Sequence, residues 1–305
     1  MTSILAIGEC MVEMAPLATL GHFCLGYAGD TLNTAWYLRR LLGEGDQVDY
    51  FTAIGTDTVS DKMIDFLQQA DIGTEHILRR DDKGLGLYMT HLEDGERSFS
   101  YWRSDSAARS LAADPVPLQE ALDNADLAYF SGITLAILPP ADRARLLTTL
   151  RRFRSGGGIV IFDPNVRPKL WKSPDEMTQS LIQAATVSNI ALPSFDDDAH
   201  WFGDDNPEDT IRRYAAAGVN CCVVKNGAGR IYAFDTGQHV FHEPVQDVRV
   251  IDSTAAGDSF NAGFIAARLQ GADLRDAVQA GASLAARVIA KLGALVDVDV
   301  IRAVD

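Results

Sequence analysis

The chain has 305 residues, 47% of them hydrophobic and 23% charged, with a formal net charge of -15. That much apolar material is enough for one large α/β domain with a substantial core, and it argues against a disordered chain. The acid is spread along the sequence with no long basic run, so nucleic acid and anionic membrane surfaces are poor candidate partners, and a phosphate-bearing ligand would need Mg²⁺ and local cations. The opening MTSILAIG has no basic start and is too short for a signal peptide, and no uninterrupted apolar run reaches about 18 residues, so a cytoplasmic location is expected. Cys10, Cys24, Cys221 and Cys222 lack metal-ligand spacing and are expected as buried free thiols, with Cys221 and Cys222 on opposite faces of a strand.

Along the chain, short apolar runs alternate with helix-sized segments: ILAIG at 4–8, DYFTAIG at 49–55, LAYFSGI at 127–133, GIVIFD at 158–163, NIALP at 189–193 and CCVVKNG at 221–227. This alternation predicts a mainly parallel sheet with helices on both faces. Glu9 and Glu13 flank an excursion after the first run. AGDTLN at 28–33 then offers a tight turn at Gly29, an acceptor at Asp30 and an amide at Asn33 ahead of a helix, and Asp30 serves equally well as an N-cap. Residues 84–104 read instead as a β-hairpin around Glu93, Asp94, Gly95 and Glu96. Alternation puts Phe99, Tyr101 and Arg103 on one face of its second strand, opposite Ser98, Ser100 and Trp102, and aligns Gly86, Tyr88 and Thr90 on the first. Two phenols and a guanidinium on one face suit a sugar acid, although Arg103 beside Asp105 also reads as a surface arginine. Trp102 is expected against the core or a dimer partner.

DPNVRPKLW at 163–171 starts where a strand ends, the edge at which open α/β sheets collect ligands, and it brings Asn165, Arg167 and Lys169, or simply a turn at Asp163 and Pro164. Ser194 with Asp196, Asp197 and Asp198 reads either as a metal-organising group or as a capped acidic helix start. VVKNGAG at 223–229 ends a strand with Lys225, Gly227 and Gly229, a cation and accessible backbone that also fit a hairpin. The most telling stretch is IDSTAAGDSFNAGF at 251–264, where Ala255, Ala256 and Gly257 lead into a buried helix and Asp258 stands in its first turn. Free N–H groups there favour a phosphate, and Asp258 is placed either to accept a hydroxyl proton or to complement the helix dipole.

Together with IGECMVEM at 7–14, these segments stand in the order of the ribokinase-like, phosphofructokinase B-type carbohydrate kinases, and the chain resembles that family over its whole length. The resemblance implies a ribokinase-like three-layer α/β fold over residues 1–305, a mainly parallel central sheet, and a small β lid from strands within about 9–28 and 84–104. It makes Asp258 the catalytic base and the backbone of Ala255, Ala256 and Gly257 the anion hole. Gly29, Asp30, Asn33, Tyr88, Tyr101, Arg103 and Arg167 become substrate contacts. Asn165, Ser194, Lys225, Gly227, Gly229 and Ser283, beside Gly281, become nucleotide-side residues, with Asp197 touching a metal through water. ATP and Mg²⁺, with a monovalent cation as a further candidate, are the implied cofactors, and a homodimer through the lid is the implied assembly.

The expected reaction is phosphorylation of 2-keto-3-deoxy-D-gluconate, with a neutral-sugar kinase or a non-catalytic sugar-acid sensor as the alternatives. Relatives often carry Gly where Ala255 stands, so Ala255 is expected to avoid positive φ. A dinucleotide site lacks its GxGxxG, a Walker A loop is absent, and the six histidines show no paired ligand spacing.

Overall fold

The computed structural model describes residues 1–297 except 18, 20, 94–95 and 245–247. The chain opens with β1 (Ser3–Ile7), β2 (Met11–Pro16), β3 (Phe23–Ala28), α1 (Asp30–Leu41), β4 (Gln47–Phe51), β5 (Ala53–Gly55) and α2 (Thr58–Gln69). It continues through β6 (Leu78–Arg80), β7 (Leu87–Glu93), β8 (Glu96–Trp102), α3 (Pro115–Asp123), β9 (Leu127–Ser131), α4 (Gly132–Ile137), α5 (Pro140–Ser155) and β10 (Ile159–Asp163). The last third holds α6 (Pro174–Ala185), β11 (Ile190–Ala191), α7 (Phe195–Phe202), α8 (Pro207–Ala216), β12 (Cys221–Val224), β13 (Ile231–Asp235), β14 (Gln238–His242), α9 (Ala256–Leu269) and α10 (Leu274–Val288).

Eight strands form the central sheet in the order β14-β13-β12-β11-β10-β9-β1-β4, parallel from β12 to β4. Continuous apolar runs such as Leu127 to Phe130 are what a strand covered on both faces needs. Along β1, Ile4 and Ala6 enter the core with Leu32, Met63, Phe264 and Val278 of α1, α2, α9 and α10. Leu5 and Ile7 enter the opposite core with Leu118, Leu146 and Leu181 of α3, α5 and α6. Burying one such side chain contributes about 1.5–3 kcal/mol. Cys221 and Cys222 fall in different cores, as alternation requires.

The sheet departs from the expected strand–helix alternation after β12. A helix was expected there, but β13 and β14 follow as an antiparallel hairpin closed by Thr236 (φ 45°) and Gly237 (φ 94°). Two positive φ values in a two-residue loop are the hairpin signature, and only the Gly of Asp235-Thr236-Gly237 announces it in the sequence.

A second sheet, ordered β3-β2-β7-β8, is built from the segments expected to form the lid. It leaves the body after β1 and rejoins it at α1, so it stands at the carboxyl edge of the parallel strands. The hairpin is as expected, with Tyr88 opposite Tyr101 and Thr90 opposite Phe99, while Asp94 and Gly95 at its tip lie outside the described residues. Cys10, Cys221 and Cys222 are buried, but Cys24, expected to be buried, is exposed on edge strand β3. Trp102, expected to be covered, is 57% exposed within the chain. Among the described residues no helix is long and apolar enough to cross a membrane.

Candidate active site

Helix α9 begins at the carboxyl edge of the sheet, and no side chain caps it. Ala256 N–H donates to the Ser253 carbonyl at 3.2 Å, and the N–H groups of Gly257 and Asp258 have no side-chain cap and are open to a ligand, as at other anion-binding helix starts. Ala255 precedes it with φ 59° and ψ 17°, which overturns the expectation that this position avoids positive φ. The left-handed conformation swings the chain into the helix, at a cost of about 1–2 kcal/mol for a residue with a Cβ. Asp252 braces the turn: its Oδ1 accepts from Thr254 N at 3.0 Å and Thr254 Oγ1 at 2.7 Å, and its Oδ2 accepts from Gly293 N at 2.7 Å.

Asp258 is buried in the first turn of α9. Its Oδ2 accepts from Asn33 Nδ2 at 2.8 Å, and Thr34 Oγ1 donates to its carbonyl at 3.2 Å. Burial, reinforced by the carboxylates of Asp30 and Asp163, pushes its pKa up to about 8 against the opposing pull of Asn33 and Lys225.

Asp30 opens α1, but Gly29 is the cap residue, so the N-cap reading of Asp30 fails. The turn expected at Gly29 fails too, since its φ of 176° is extended backbone. Glycine is needed for space instead: a Cβ there would stand 2.2 Å from the Glu9 carbonyl oxygen. The Asp30 Oδ2 is free of capping duty and accepts from Asn165 Nδ2 at 2.8 Å. Asn165 has φ 33° and donates its N–H to Asp163 Oδ1 at 3.0 Å, so the turn reading of DPN holds. The side chain of Asn165, expected on the nucleotide side, thus meets an expected acceptor-side residue.

Lys225 Nζ donates to Asp163 Oδ2 and to Asn261 Oδ1, each at 3.1 Å. Asn261 Nδ2 donates to Asp163 Oδ2 at 2.6 Å and to the Tyr129 hydroxyl at 3.0 Å. A Cβ on Gly257 would lie 3.5 Å from Lys225 Nζ, which puts this cation against the anion turn. Asn261 and Tyr129 escaped the sequence reading. The spacing of Asn261 three residues after Asp258, on one helix face, was the available signal. Beyond Lys225, Gly227 adopts φ 52°, and a Cβ on Gly229 would meet Asn226 Nδ2 at 2.7 Å, so both glycines answer to the backbone.

On the lid, Tyr88 is buried and Tyr101 is 53% exposed, with ring centroids 5.9 Å apart and Phe99 beside both. Burial and a hydrogen bond with Glu13 raise the Tyr88 pKa. Arg103 is no surface arginine: its Nη2 pairs with the buried carboxylate of Glu9, while Asp105 pairs with Lys83. Arg167 is half exposed, donates to the Val166 carbonyl at 2.8 Å, and lies 3.7 Å from Asp197. Burial raises the Asp197 pKa against the pull of Arg167.

The three consecutive acids divide their work. Asp196 is exposed toward Gly227, and Asp197 meets Arg167. Asp198 is buried and held by Arg213 at 2.8 Å and Tyr214 at 2.7 Å, with its pKa raised by burial to about 6. Ser194 begins α7 without a side-chain cap bond and pairs in register with Lys225. Ser283 is half-buried on α10, two residues after Gly281, whose missing Cβ would stand 2.8 Å from the Phe260 carbonyl, so Gly281 serves helix packing. Among the described residues no group of three or more His, Cys, Asp or Glu is arranged to hold a metal ion.

Known proteins carry the same frame. The chain is 39% identical over 305 residues to the 2-dehydro-3-deoxygluconokinase of Dickeya dadantii (strain 3937), covering 97% of each protein. It is 39% identical over 300 residues to the 2-dehydro-3-deoxygluconokinase of Escherichia coli (strain K12), covering 96% of each. The crystal structure of a PfkB protein from Polaromonas sp. JS666 superposes with a TM-score of 0.85 at 26% identity, over 96% of this chain and 97% of that one. Residues 1–300 match the pfkB family carbohydrate kinases, and the chain belongs to that family.

Proposed function

We propose that this protein is an ATP-dependent 2-dehydro-3-deoxygluconokinase, which phosphorylates the terminal hydroxyl of 2-keto-3-deoxy-D-gluconate to give 2-keto-3-deoxy-6-phosphogluconate. The observation that carries the chemistry is the buried Asp258 carboxyl beside an uncapped anion turn, with Lys225 Nζ against that turn. The substrate assignment is supported by near-full-length identity to two proteins of that name.

The acceptor hydroxyl oxygen forms a bond to the γ-phosphorus as the bond to the β,γ-bridging oxygen breaks. The hydroxyl proton passes to Asp258 in its ionised carboxylate form, which Lys225 favours, and ADP leaves with the electron pair. The N–H groups of Ala255 and Gly257 in the turn, with Ala256 N–H bracing it through the Ser253 carbonyl, and the Lys225 ammonium meet the charge on the moving phosphoryl group. Mg²⁺ would be held as a companion of the nucleotide phosphates, with the half-buried Asp197 carboxyl as the residue that would meet it through water, and it would supply charge neutralisation. Asp30, Asn33, Tyr88, Tyr101, Arg103 and Arg167 form the acceptor side. Ser194, Gly227, Gly229 and Ser283 lie on the nucleotide side, and Asn165 bridges the two. Lid closure would exclude water and limit ATP hydrolysis.

The lid's exposed Phe23, Leu25, Phe99 and Trp102 support a homodimer in which lids pair, and a reaction that draws on ATP supports a cytoplasmic location.

One observation favours a second reading. The charge of Arg103 is already met by Glu9, a pairing that a kinase of a neutral sugar such as fructose would also tolerate. ADP release with ATP and Mg²⁺, across 2-keto-3-deoxygluconate, 2-keto-3-deoxygalactonate, gluconate, fructose and ribose, and in Na⁺ and K⁺ buffers in turn, separates the two.

A further inference from the structure

Glu9 lies where β1 ends and the chain rises into the lid. Its Oε2 accepts from Arg103 Nη2 and its Oε1 accepts from Ser106 Oγ. The Arg103 and Glu9 side chains are 10% and 1% exposed, yet the Arg103 Nε is buried with no hydrogen-bond partner. Folded proteins rarely leave a buried N–H unmade, and such a donor gains most from a ligand oxygen that reaches it.

Two glycines make the room. A Cβ on Gly86 would stand 2.9 Å from Glu9 Oε1 and 3.2 Å from Arg103 Cβ, and a Cβ on Gly29 would meet the Glu9 carbonyl oxygen. Gly29 starts α1, whose Asn33 holds Asp258. Glu9 therefore touches the helix of the catalytic centre with its backbone and the lid with its side chain.

We propose that Glu9 is the positioning residue of the acceptor pocket, holding the Arg103 guanidinium so that its unpaired Nε–H meets an oxygen of an acidic acceptor. This rests on the assignment of Arg103 to the acceptor side. An arginine free in solvent loses rotamer freedom each time substrate binds, whereas one already clamped by a buried carboxylate does not, so the clamp appears in substrate affinity. The pair is also neutral as a unit, so recognition through it comes from a directed hydrogen bond rather than from net charge.

The test is Glu9→Gln, which keeps the shape and removes the charge, measured with Arg103→Gln and the double variant. Glu9→Gln should raise KM for 2-keto-3-deoxygluconate about tenfold, the scale of one charged hydrogen bond, and hold kcat and the KM for ATP within about twofold. In the Arg103→Gln background it should add nothing further, because the two residues act as one unit. A role confined to stability would lower the melting temperature without this split or this non-additivity. Should Glu9→Gln fail to fold, Ser106→Ala removes one anchor of Glu9 and should raise the same KM about two- to fivefold, a fraction of a charged contact. An unchanged or lowered KM, or additive effects, overturns the proposal. If the wild-type protein prefers the sugar acid and Arg103→Gln alone raises KM, only the role of Glu9 fails. If the wild-type protein uses fructose equally well, the acceptor assignment beneath it fails as well.

Discussion

Replacing Asp258 by Asn should stabilise the folded protein at alkaline pH even as it removes the base proposed for the reaction. The Asp258 carboxyl titrates near 3.8 when unfolded and at about 8 when folded, because burial and the neighbouring Asp30 and Asp163 disfavour its charge. An acid whose folded pKa is raised leaves stability intact below the unfolded value and withdraws it as pH climbs to the folded value. At 1.36 kcal/mol per unit, the shift sets an upper bound of roughly 5–6 kcal/mol above about pH 8. Structural relaxation and water entry reduce this to about 2 kcal/mol when an effective interior dielectric near 20 is used. The introduced amide would still offer an oxygen to Asn33 Nδ2, so the 2.8 Å bond survives and the charge alone is deleted. Urea denaturation of both proteins from about pH 3 to about pH 9 should give near-equal stability at the acid end, below the unfolded pKa of 3.8. The gap should widen in favour of the variant, worth about 3–6 °C in Tm, at the alkaline end. Other titrating groups are common to both proteins and cancel in the difference. A pH-independent gap, or a variant less stable throughout, refutes the assignment of a buried, charge-crowded Asp258.

The same Asp258→Asn protein should bind ATP normally by calorimetry yet lose roughly 10²- to 10⁴-fold in kcat, and near-normal turnover would remove Asp258 from the role of base. Arg103→Gln should weaken use of the sugar acid by roughly ten- to a hundredfold in KM while sparing ATP affinity, whereas lost ATP binding with an unchanged acceptor KM would place Arg103 on the wrong ligand. Ala255→Gly should stabilise the protein by about 0.5–1 kcal/mol in urea, relief of the left-handed Ala offset by the extra freedom of Gly when unfolded, and a loss of stability would mean that the turn is unstrained.

Features written in consecutive residues were legible. The alternation in β7 and β8 marked the hairpin, and the small residues before Asp258 marked the turn into α9. Features made by residues far apart were not. Glu9 and Arg103 meet across 94 positions, and Lys225 and Asp163 across 62, and periodicity assigns a face without naming what lies opposite it. Gly29 was legible as necessary but for the wrong cause, because a close approach of backbone leaves the same mark in a sequence as a turn. Asp198 looked like its neighbours Asp196 and Asp197, and only the packing of α7 on α8 assigns it to Arg213 and Tyr214.

The central claim, a kinase that selects a sugar acid, is tested most directly by kcat/KM for 2-keto-3-deoxygluconate against fructose under identical ATP and Mg²⁺. A hydrogen bond to a charged group contributes about 1.5–3 kcal/mol, and each 1.4 kcal/mol is a factor of about ten, so losing one carboxylate contact costs roughly ten- to a hundredfold. Contacts from both Arg103 and Arg167 would cost more, short of full additivity. The account predicts a preference for the keto acid of at least about tenfold in kcat/KM, and equal or better kcat/KM for fructose would contradict it and leave the neutral-sugar kinase standing.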